Sequence, residues 1–385
     1  MPGSELNSFD TLQVARLPLA RAYLHMLAAT PGRPVALFAR RRVGKTHFLV
    51  TDLLPEAAAS GLAPVYADVW LNRAEPVGAI NHALEEALDD ATVPRGKLGK
   101  NARTPVKKLG MLGVQVDLGD EPKRRPLPAE PTLRLDALVT RLAAQTGKPV
   151  LLMLDEVQAL AEASNGEQTM SALRAVLQKH KKIVSAVFTG SSQDALASMM
   201  ASAGAPMYQF ATIVDFPALG DEYLQLLCDH FTRVHKTKRL NLDALRETYV
   251  FLGQRPALIK DFVKAMSADG ITDFDVMRKK FITGEAQVAG WQALLRGISP
   301  WDRAILWIVA KNLAPLGRDA ALALAKADRS FAATPQKIRS ALDRLKRTGM
   351  LAKQTGGGHR IEDSRFGEYL AALVWKALSA SLYAS

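Results

Sequence analysis

The chain of 385 residues holds a single cysteine, Cys228, so no disulfide can close within it. That cysteine falls in the helical pattern Tyr223 to His230, which makes it a core thiol. The seven histidines are scattered, with no H-E-x-x-H and no cysteine at ligand spacing, so a zinc-type site is excluded. No apolar run approaches the length of a membrane span, and the opening M-P-G-S-E-L-N-S-F-D has early acids and no apolar h-region. A cytoplasmic location without a membrane partner is the expectation. Negative charge is also short: 38 Asp and Glu face 50 Lys and Arg, a net charge of +12 that favours an anionic macromolecular partner. With 48% hydrophobic residues and mean hydropathy near zero, the chain can bury two or three domain cores.

Residues Ala39 to Thr46 read A-R-R-R-V-G-K-T, after the apolar run Val35 to Phe38 and before His47-Phe48-Leu49-Val50. A buried strand entering a helix through a tight loop is the context of a phosphate-binding loop. Its backbone N–H groups, from Arg42, Val43, Gly44, Lys45, Thr46 and His47, would line a polyphosphate at the positive end of a helix dipole. Lys45 would reach the β- and γ-phosphates and the Thr46 hydroxyl would hold Mg²⁺. Ala39 replaces the first glycine of G-x-x-x-x-G-K-[ST], adding a Cβ where backbone freedom is usually wanted, while Gly44 is kept.

An independent witness lies at 149–157, P-V-L-L-M-L-D-E-V: a short apolar run that reads as a strand buried on both faces and ending in two carboxylates. Asp155 at its tip is placed to hold the metal, and Glu156 to polarise a water for attack on the γ-phosphate. The bland alternative is an exposed acidic pair at a strand end. A third strand, Ile183 to Phe188, runs into Thr189-Gly190-Ser191-Ser192, where Thr189 and Ser191 are candidates to touch the γ-phosphate or the attacking water. Ser192 also fits as the N-cap of the helix that follows, and both readings can hold.

The remaining elements alternate as strands and crossover helices of a parallel sheet. They are a helix to Ser60, a strand Pro64 to Trp70, helices Pro76 to Asp90, Leu133 to Thr146 and Glu167 to Lys181, and a last strand Thr212 to Phe216. An amphipathic segment, Leu17 to Leu27, packs beside them. Between Ala91 and Pro131 the pattern breaks into a Gly-, Pro- and Lys-rich insertion whose centre, Leu112 to Leu118, alternates like a hairpin strand. From Asp221 to Ser299 the periodicity is helical, over Tyr223 to Lys236, Leu242 to Leu252, Pro256 to Ala268 and Asp273 to Leu295, as in a compact lid. Arg255 stands before the proline that starts the third of these helices, where it would face the phosphates or simply form a turn.

The last block follows the plan of a winged helix-turn-helix: helices Trp301 to Asn312, Asp319 to Ala327 and Gln336 to Arg347, a strand Met350 to Gln354, a glycine turn at 356–358, and the return His359-Arg360-Ile361. Its third helix shows Lys337, Arg339, Arg344, Lys346 and Arg347 around Ile338, Leu342 and Leu345, and would enter a major groove. His359 and Arg360 on the wing would reach phosphate or minor groove. A winged helix used only for protein contacts is the alternative.

R-R-R-V-G-K-T, the Y-A-D strand, L-L-M-L-D-E-V-Q, F-T-G-S-S and the G-Q-R-P turn, followed by a winged helix, resemble the archaeal-type P-loop ATPase family of the AAA+/STAND branch, close to origin-recognition-like ATPases. The resemblance implies ATP with Mg²⁺, and self-association that sets an arginine of one subunit at the next subunit's nucleotide. Where many relatives have a basic residue, Met207-Tyr208-Gln209-Phe210 has Gln209, which leaves Arg174 or Arg233 for that role if subunit geometry allows.

The expected fold class is therefore α/β: a P-loop NTPase (AAA+-like) parallel sheet over residues 1–219, carrying a basic insertion at 91–131, with a helical lid at 220–299 and a winged helix-turn-helix at 300–385. The expected function is an ATPase switch, with Glu156, Lys45 and Thr189 catalytic, that couples nucleotide state to duplex DNA binding and self-assembly. Two rivals stand beside it: a STAND-like signalling ATPase whose winged helix binds protein, and a DNA-binding regulator with structural nucleotide.

Overall fold

A computed structural model of the protein describes residues 8–39, 42–92, 126–190, 199–200, 204–327, 334–353 and 358–373. The hairpin expected at 112–118, and Ser191 and Ser192, lie outside them. The chain divides into two compact units: Ala15–Pro217 is one, and Met1–Val14 together with Ala218–Ser385 is the other.

The first unit is built on a five-stranded parallel sheet in the order β2-β3-β4-β1-β5: β1 Val35–Phe38, β2 Ala63–Asp68, β3 Val150–Asp155, β4 Val184–Thr189 and β5 Thr212–Asp215. Strand side chains alternate between faces, so a strand covered on both sides must be apolar throughout. Strand β3 is buried at every position, sending Val150, Leu152 and Leu154 into one core and Leu151 and Met153 into another. Helices α4 (Pro76–Thr92), α5 (Pro131–Thr146) and α7 (Gly166–Lys179) supply the first core, through Ile80, Leu84, Leu138, Leu142 and Leu173. The second holds Tyr23 and Leu27 of α1 (Leu17–Ala29), Phe48 of α2 (Lys45–Phe48) and Leu53. Each such side chain contributes about 1.5–3 kcal/mol on burial.

Helix α2 continues through a wider π turn (Leu49–Leu53) into α3 (Leu54–Ala59). Pro55 lacks the N–H that a regular helix needs and its ring crowds the preceding turn, so the widening accommodates it. Strand β2 is shorter than expected, because Asp68 accepts from the Trp70 amide at 2.9 Å and turns the chain into a 3₁₀ segment, Val69–Asn72. Two short elements join the expected ones, α6 (Ala159–Glu162) after β3 and a 3₁₀ turn at Ser8–Thr11.

Among its described residues the second unit is helical apart from one antiparallel strand pair. Helices α8 (Asp221–His235), α9 (Leu242–Phe251) and α10 (Pro256–Asp269) enclose Leu227, Phe231, Leu245, Phe262 and Met266 together with Phe9. Cys228 is buried here, and burial pushes its thiol up to about 11, which keeps it protonated and inert as a core thiol should be. The single helix expected from Asp273 to Leu295 is in fact two, α11 (Phe274–Thr283) and α12 (Glu285–Arg296). Gly284 takes an extended conformation between them; glycine is the weakest ordinary helix former, and here it redirects the chain.

The end of this unit follows the expected order. Helices α13 (Pro300–Ala310), α14 (Arg318–Ala327) and α15 (Pro335–Arg347) lead to the antiparallel pair β6 (Leu351–Lys353) and β7 (His359–Ile361). Thr334 caps α15 by accepting from the Lys337 amide, and Pro335 begins the helix. Ile338, Leu342 and Leu345 are buried with Ile305, Ile308, Leu324 and Leu351. A further helix, α16 (Ser364–Ala372), adds Phe366 and Leu370 to that core and was not foreseen. Among the described residues no helix is long and apolar enough to cross a membrane.

Candidate functional site

Sheet order decides which loops meet. Strand β4 lies between β1 and β3, so the loop after β1, the tip of β4 and the tip of β3 share one crevice at the carboxyl end of the sheet. Open parallel sheets bind ligands at such a position. Asp155, 3% exposed, is the centre of this crevice. Its Oδ2 accepts from the Thr46 hydroxyl at 2.5 Å and from the Tyr66 hydroxyl at 3.3 Å. Its Oδ1 accepts from the Thr189 hydroxyl and from the Glu156 amide, the latter at 3.0 Å. The loop threonine, the two strand tips and β2 therefore converge on one buried carboxylate.

The loop itself is wound for this purpose. Gly44 has φ +92° and caps α2, while Arg42 has φ +66°. A Cβ added to Gly44 would meet open space, so the glycine is required by its backbone conformation and not by crowding. Ala39 is 7% exposed and is not among the positive-φ residues, which explains why alanine serves at the first glycine position. Ala39→Gly is accordingly expected to leave nucleotide affinity unchanged and to cost less than about 1 kcal/mol in stability, whereas Gly44→Ala should lose binding. Parallel calorimetry and thermal melts of the two variants check this pair.

Lys45 is buried, with Nζ donating to the Ala39 carbonyl at 3.1 Å, so its ammonium is held inside the loop. Val43 is buried beneath the loop; Arg42, Thr46 and His47 sit on its exposed side. Glu156 has φ +55°, and its carboxylate accepts from the side-chain amide of Gln158, which is 1% exposed. Val157 donates its amide to the Thr189 carbonyl at 2.9 Å, tying the β3 tip to the β4 tip. Burial, then the Asp155 and Asp68 charges, push the Tyr66 hydroxyl up, so it remains a neutral donor.

Of the residues the sequence singled out, Lys45, Thr46, Asp155, Glu156 and Thr189 are thus assembled in one crevice. Tyr66 and Gln158 were missed. Tyr66 is legible only once β2 is paired in register with β3, Tyr66 opposite Met153.

Arg255 has a partner within its own unit. Its guanidinium is 4% exposed and donates through Nη2 to Glu362, to the carbonyl at 2.5 Å and to Oε1 at 2.8 Å. The guanidinium is thus engaged by a carboxylate of its own unit. Arg174 is committed as well, donating to the Pro206 carbonyl at 2.5 Å and stacking on Phe210; Arg233 is exposed on α8.

The expected DNA face divides in the same way. Arg344 is paired with Asp302 at 2.8 Å, Lys346 with Asp343 at 2.8 Å, and Arg360 with Glu362 at 3.5 Å. These three are ion-paired, Arg344 with its side chain 43% exposed and Lys346 to a neighbour on its own helix. Lys337, Arg339, Arg344 and Arg347 are exposed along α15, Lys337 lying over the Trp301 ring. His359 and Arg360 are half-buried on β7.

No protein-family model matches the chain, and none of the curated proteins matches it. Solved structures do. The chain is similar to a Walker-type ATPase of Pyrococcus abyssi, with a TM-score of 0.59 and 17% identity over 93% of this chain and 96% of that one. It is also similar to the ORC2 protein of Aeropyrum pernix, solved as ADPNP and ADP complexes, with a TM-score of 0.53 and 15% identity over 95% and 92% of the two chains. At these identities the likeness is one of fold. The chain has the α/β fold of the AAA+-like P-loop ATPases.

Proposed function

We propose that the protein is an ATP-binding and ATP-hydrolysing switch of the AAA+ type, with residues 1–219 as ATPase core, 220–299 as lid and 300–385 as a winged helix that engages duplex DNA. The observation that carries this reading is the convergence of Thr46, Thr189, Tyr66 and the Glu156 amide on Asp155.

The donor set suits a nucleotide with Mg²⁺. Thr46 and Asp155 offer hard oxygens, and among the described residues no cluster of three His, Cys, Asp or Glu forms a metal cage of its own. Mg²⁺ is commonly held by one or two protein oxygens together with substrate phosphates. When bound, Mg²⁺ neutralises charge on the phosphate oxygens. Lys45 would hold the β- and γ-phosphates, Glu156 would accept the proton of an attacking water, and Thr189 would orient that water or the γ-phosphate. Glu156→Gln is expected to bind ATP as wild type does and to lose turnover by about 100-fold or more. Equal turnover in both proteins would favour a structural nucleotide instead.

DNA engagement rests on the exposed Lys337, Arg339 and Arg347 and on the net charge of +12. Counterion release then requires duplex affinity to fall steeply with salt. Reversing those three charges should remove binding. Arg344→Glu acts differently, since it sets a like charge against Asp302, 9% exposed, and should lower the melting temperature. A salt series with the triple variant, beside a melt of Arg344→Glu, separates the two effects. Leu316 and Leu322 are 54% and 59% exposed on the same C-terminal region, which favours a second reading in which it docks on protein. Duplex affinity independent of salt supports that alternative.

A further inference from the structure

The turn after β3 carries strain with an evident use. Glutamate seldom adopts a positive φ, and holding it there costs of order 1 kcal/mol or more, so the surroundings must over-determine the conformation. They do so from two sides. The Val157 amide is bonded to the Thr189 carbonyl, and the Val157 side chain is fully buried in the core. From the other side the Gln158 amide curls back and donates to Glu156 Oε2. Gln158 also anchors the next turn, its carbonyl accepting from the Ala161 amide at 3.0 Å. A half-exposed glutamate on a turn ordinarily samples several rotamers; this one has an oxygen fixed by a donor that is 1% exposed and held in the protein wall.

We propose that Gln158 is the positioning residue for Glu156, setting the direction of its carboxylate in the crevice beside Asp155 and Thr189. The proposal rests on the reading of Glu156 as the general base. Its physical content is that a base must meet the reacting proton within hydrogen-bond reach, and that a displacement of about 1 Å can cost about 100-fold in rate. Gln158 is assigned no contact with the reacting atoms in this proposal. It acts by removing the rotational freedom of the group that does.

The test uses the full chain and Gln158→Met, which keeps the length and volume of the side chain but removes the donor. Three readouts are taken. Turnover of Gln158→Met should fall by about 10-fold to 100-fold while the Kd for Mg·ATP stays within about twofold and the melting temperature is little changed. In the Glu156→Gln background the same substitution should cost nothing further, because there is no longer a base to position. Without any nucleotide, the Gln158 side-chain amide signals in a ¹⁵N spectrum, assigned by their loss in Gln158→Met, should include one proton shifted downfield by the carboxylate and returned on Glu156→Ala.

Unchanged turnover in Gln158→Met overturns the proposal, and so does a parallel loss of turnover, affinity and stability, which marks a purely structural glutamine. An equal loss in the presence and absence of Glu156 overturns it too. Absence of turnover in wild type is a different failure, sinking the hydrolysis reading and this inference with it. Amide signals insensitive to Glu156→Ala remove the contact on which the argument stands.

Discussion

Lys45→Ala is expected to abolish measurable binding of Mg·ATP, a loss of about 100-fold or more in Kd, equivalent to roughly 2.7 kcal/mol. The size follows from the site. Lys45 is 6% exposed and its ammonium is held inside the loop at the Ala39 carbonyl, whereas Arg42 of the same loop sits on the exposed side. A charge-assisted contact in a water-poor crevice is stronger than the same contact at the surface. Lys45→Met preserves the buried stem and isolates the charge; it should bind as poorly as Lys45→Ala while melting closer to wild type. Titration calorimetry on both variants reads the result. A Kd within about threefold of wild type in Lys45→Met would remove Lys45 from the phosphate site.

The second large effect concerns Glu362. Removing one partner of a buried ion pair strands the other, at a cost of about 3–5 kcal/mol. Arg255 and Glu362 side chains are 4% and 14% exposed, and Glu362 receives Arg360 as well. Glu362→Ala should therefore lower the melting temperature of its unit by roughly 10 °C, since about 1 kcal/mol corresponds to 2–4 °C in a unit of this size. The double variant Arg255→Met, Glu362→Leu should recover most of the loss, because an apolar pair of similar volume carries no desolvated charge. If the single and double variants melt alike, the pair is not the source of the stability.

The neighbouring Asp363 adds a pH dependence. Burial alone would raise its carboxyl, but the Arg365 guanidinium bonded to both carboxylate oxygens, with the Arg255 charge nearby, brings it below the usual carboxylate range. A group whose folded value is depressed stabilises the fold above its unfolded pKa and loses that contribution as pH falls through the folded one. Melts of the full chain should accordingly show this contribution intact above about pH 4 and declining below it, with Asp363→Asn flattening the decline.

What the sequence revealed and what it concealed divide by the range of the interaction. The crevice was legible because its parts are local: a strand buried on both faces must read as V-L-L-M-L, and a helix entered through Gly44 needs a residue that tolerates positive φ. Burial around Ile338, Leu342 and Leu345 was legible from helical spacing for the same reason. Helix α16 was also open to a local reading, as Asp363 caps it by accepting from the Arg365 amide and Phe366, Tyr369 and Leu370 follow at helical spacing. The break at Gly284 was harder, because one glycine in an otherwise helical run is often tolerated.

The Arg255 contact with Glu362 was not legible at all. Its two partners stand 107 residues apart, and no local pattern distinguishes an arginine aimed at phosphate from one clamped by a distant carboxylate. Arg344 and Asp302 repeat the lesson at a separation of 42 residues. Tyr66 needed the register of β2 on β3, and Gln158 needed the unusual backbone of Glu156, which composition cannot announce.

The central claim is that the amides around Gly44 and the ammonium of Lys45 cradle a triphosphate whose metal is held by Thr46 and Asp155. Calorimetric titration of ATP into the full chain, with and without Mg²⁺ and beside Asp155→Ala, tests it most directly. The account predicts saturable heat in wild type that strengthens with Mg²⁺ and loses that Mg²⁺ dependence in Asp155→Ala. No heat in wild type, or a Mg²⁺ dependence that survives in Asp155→Ala, would contradict it.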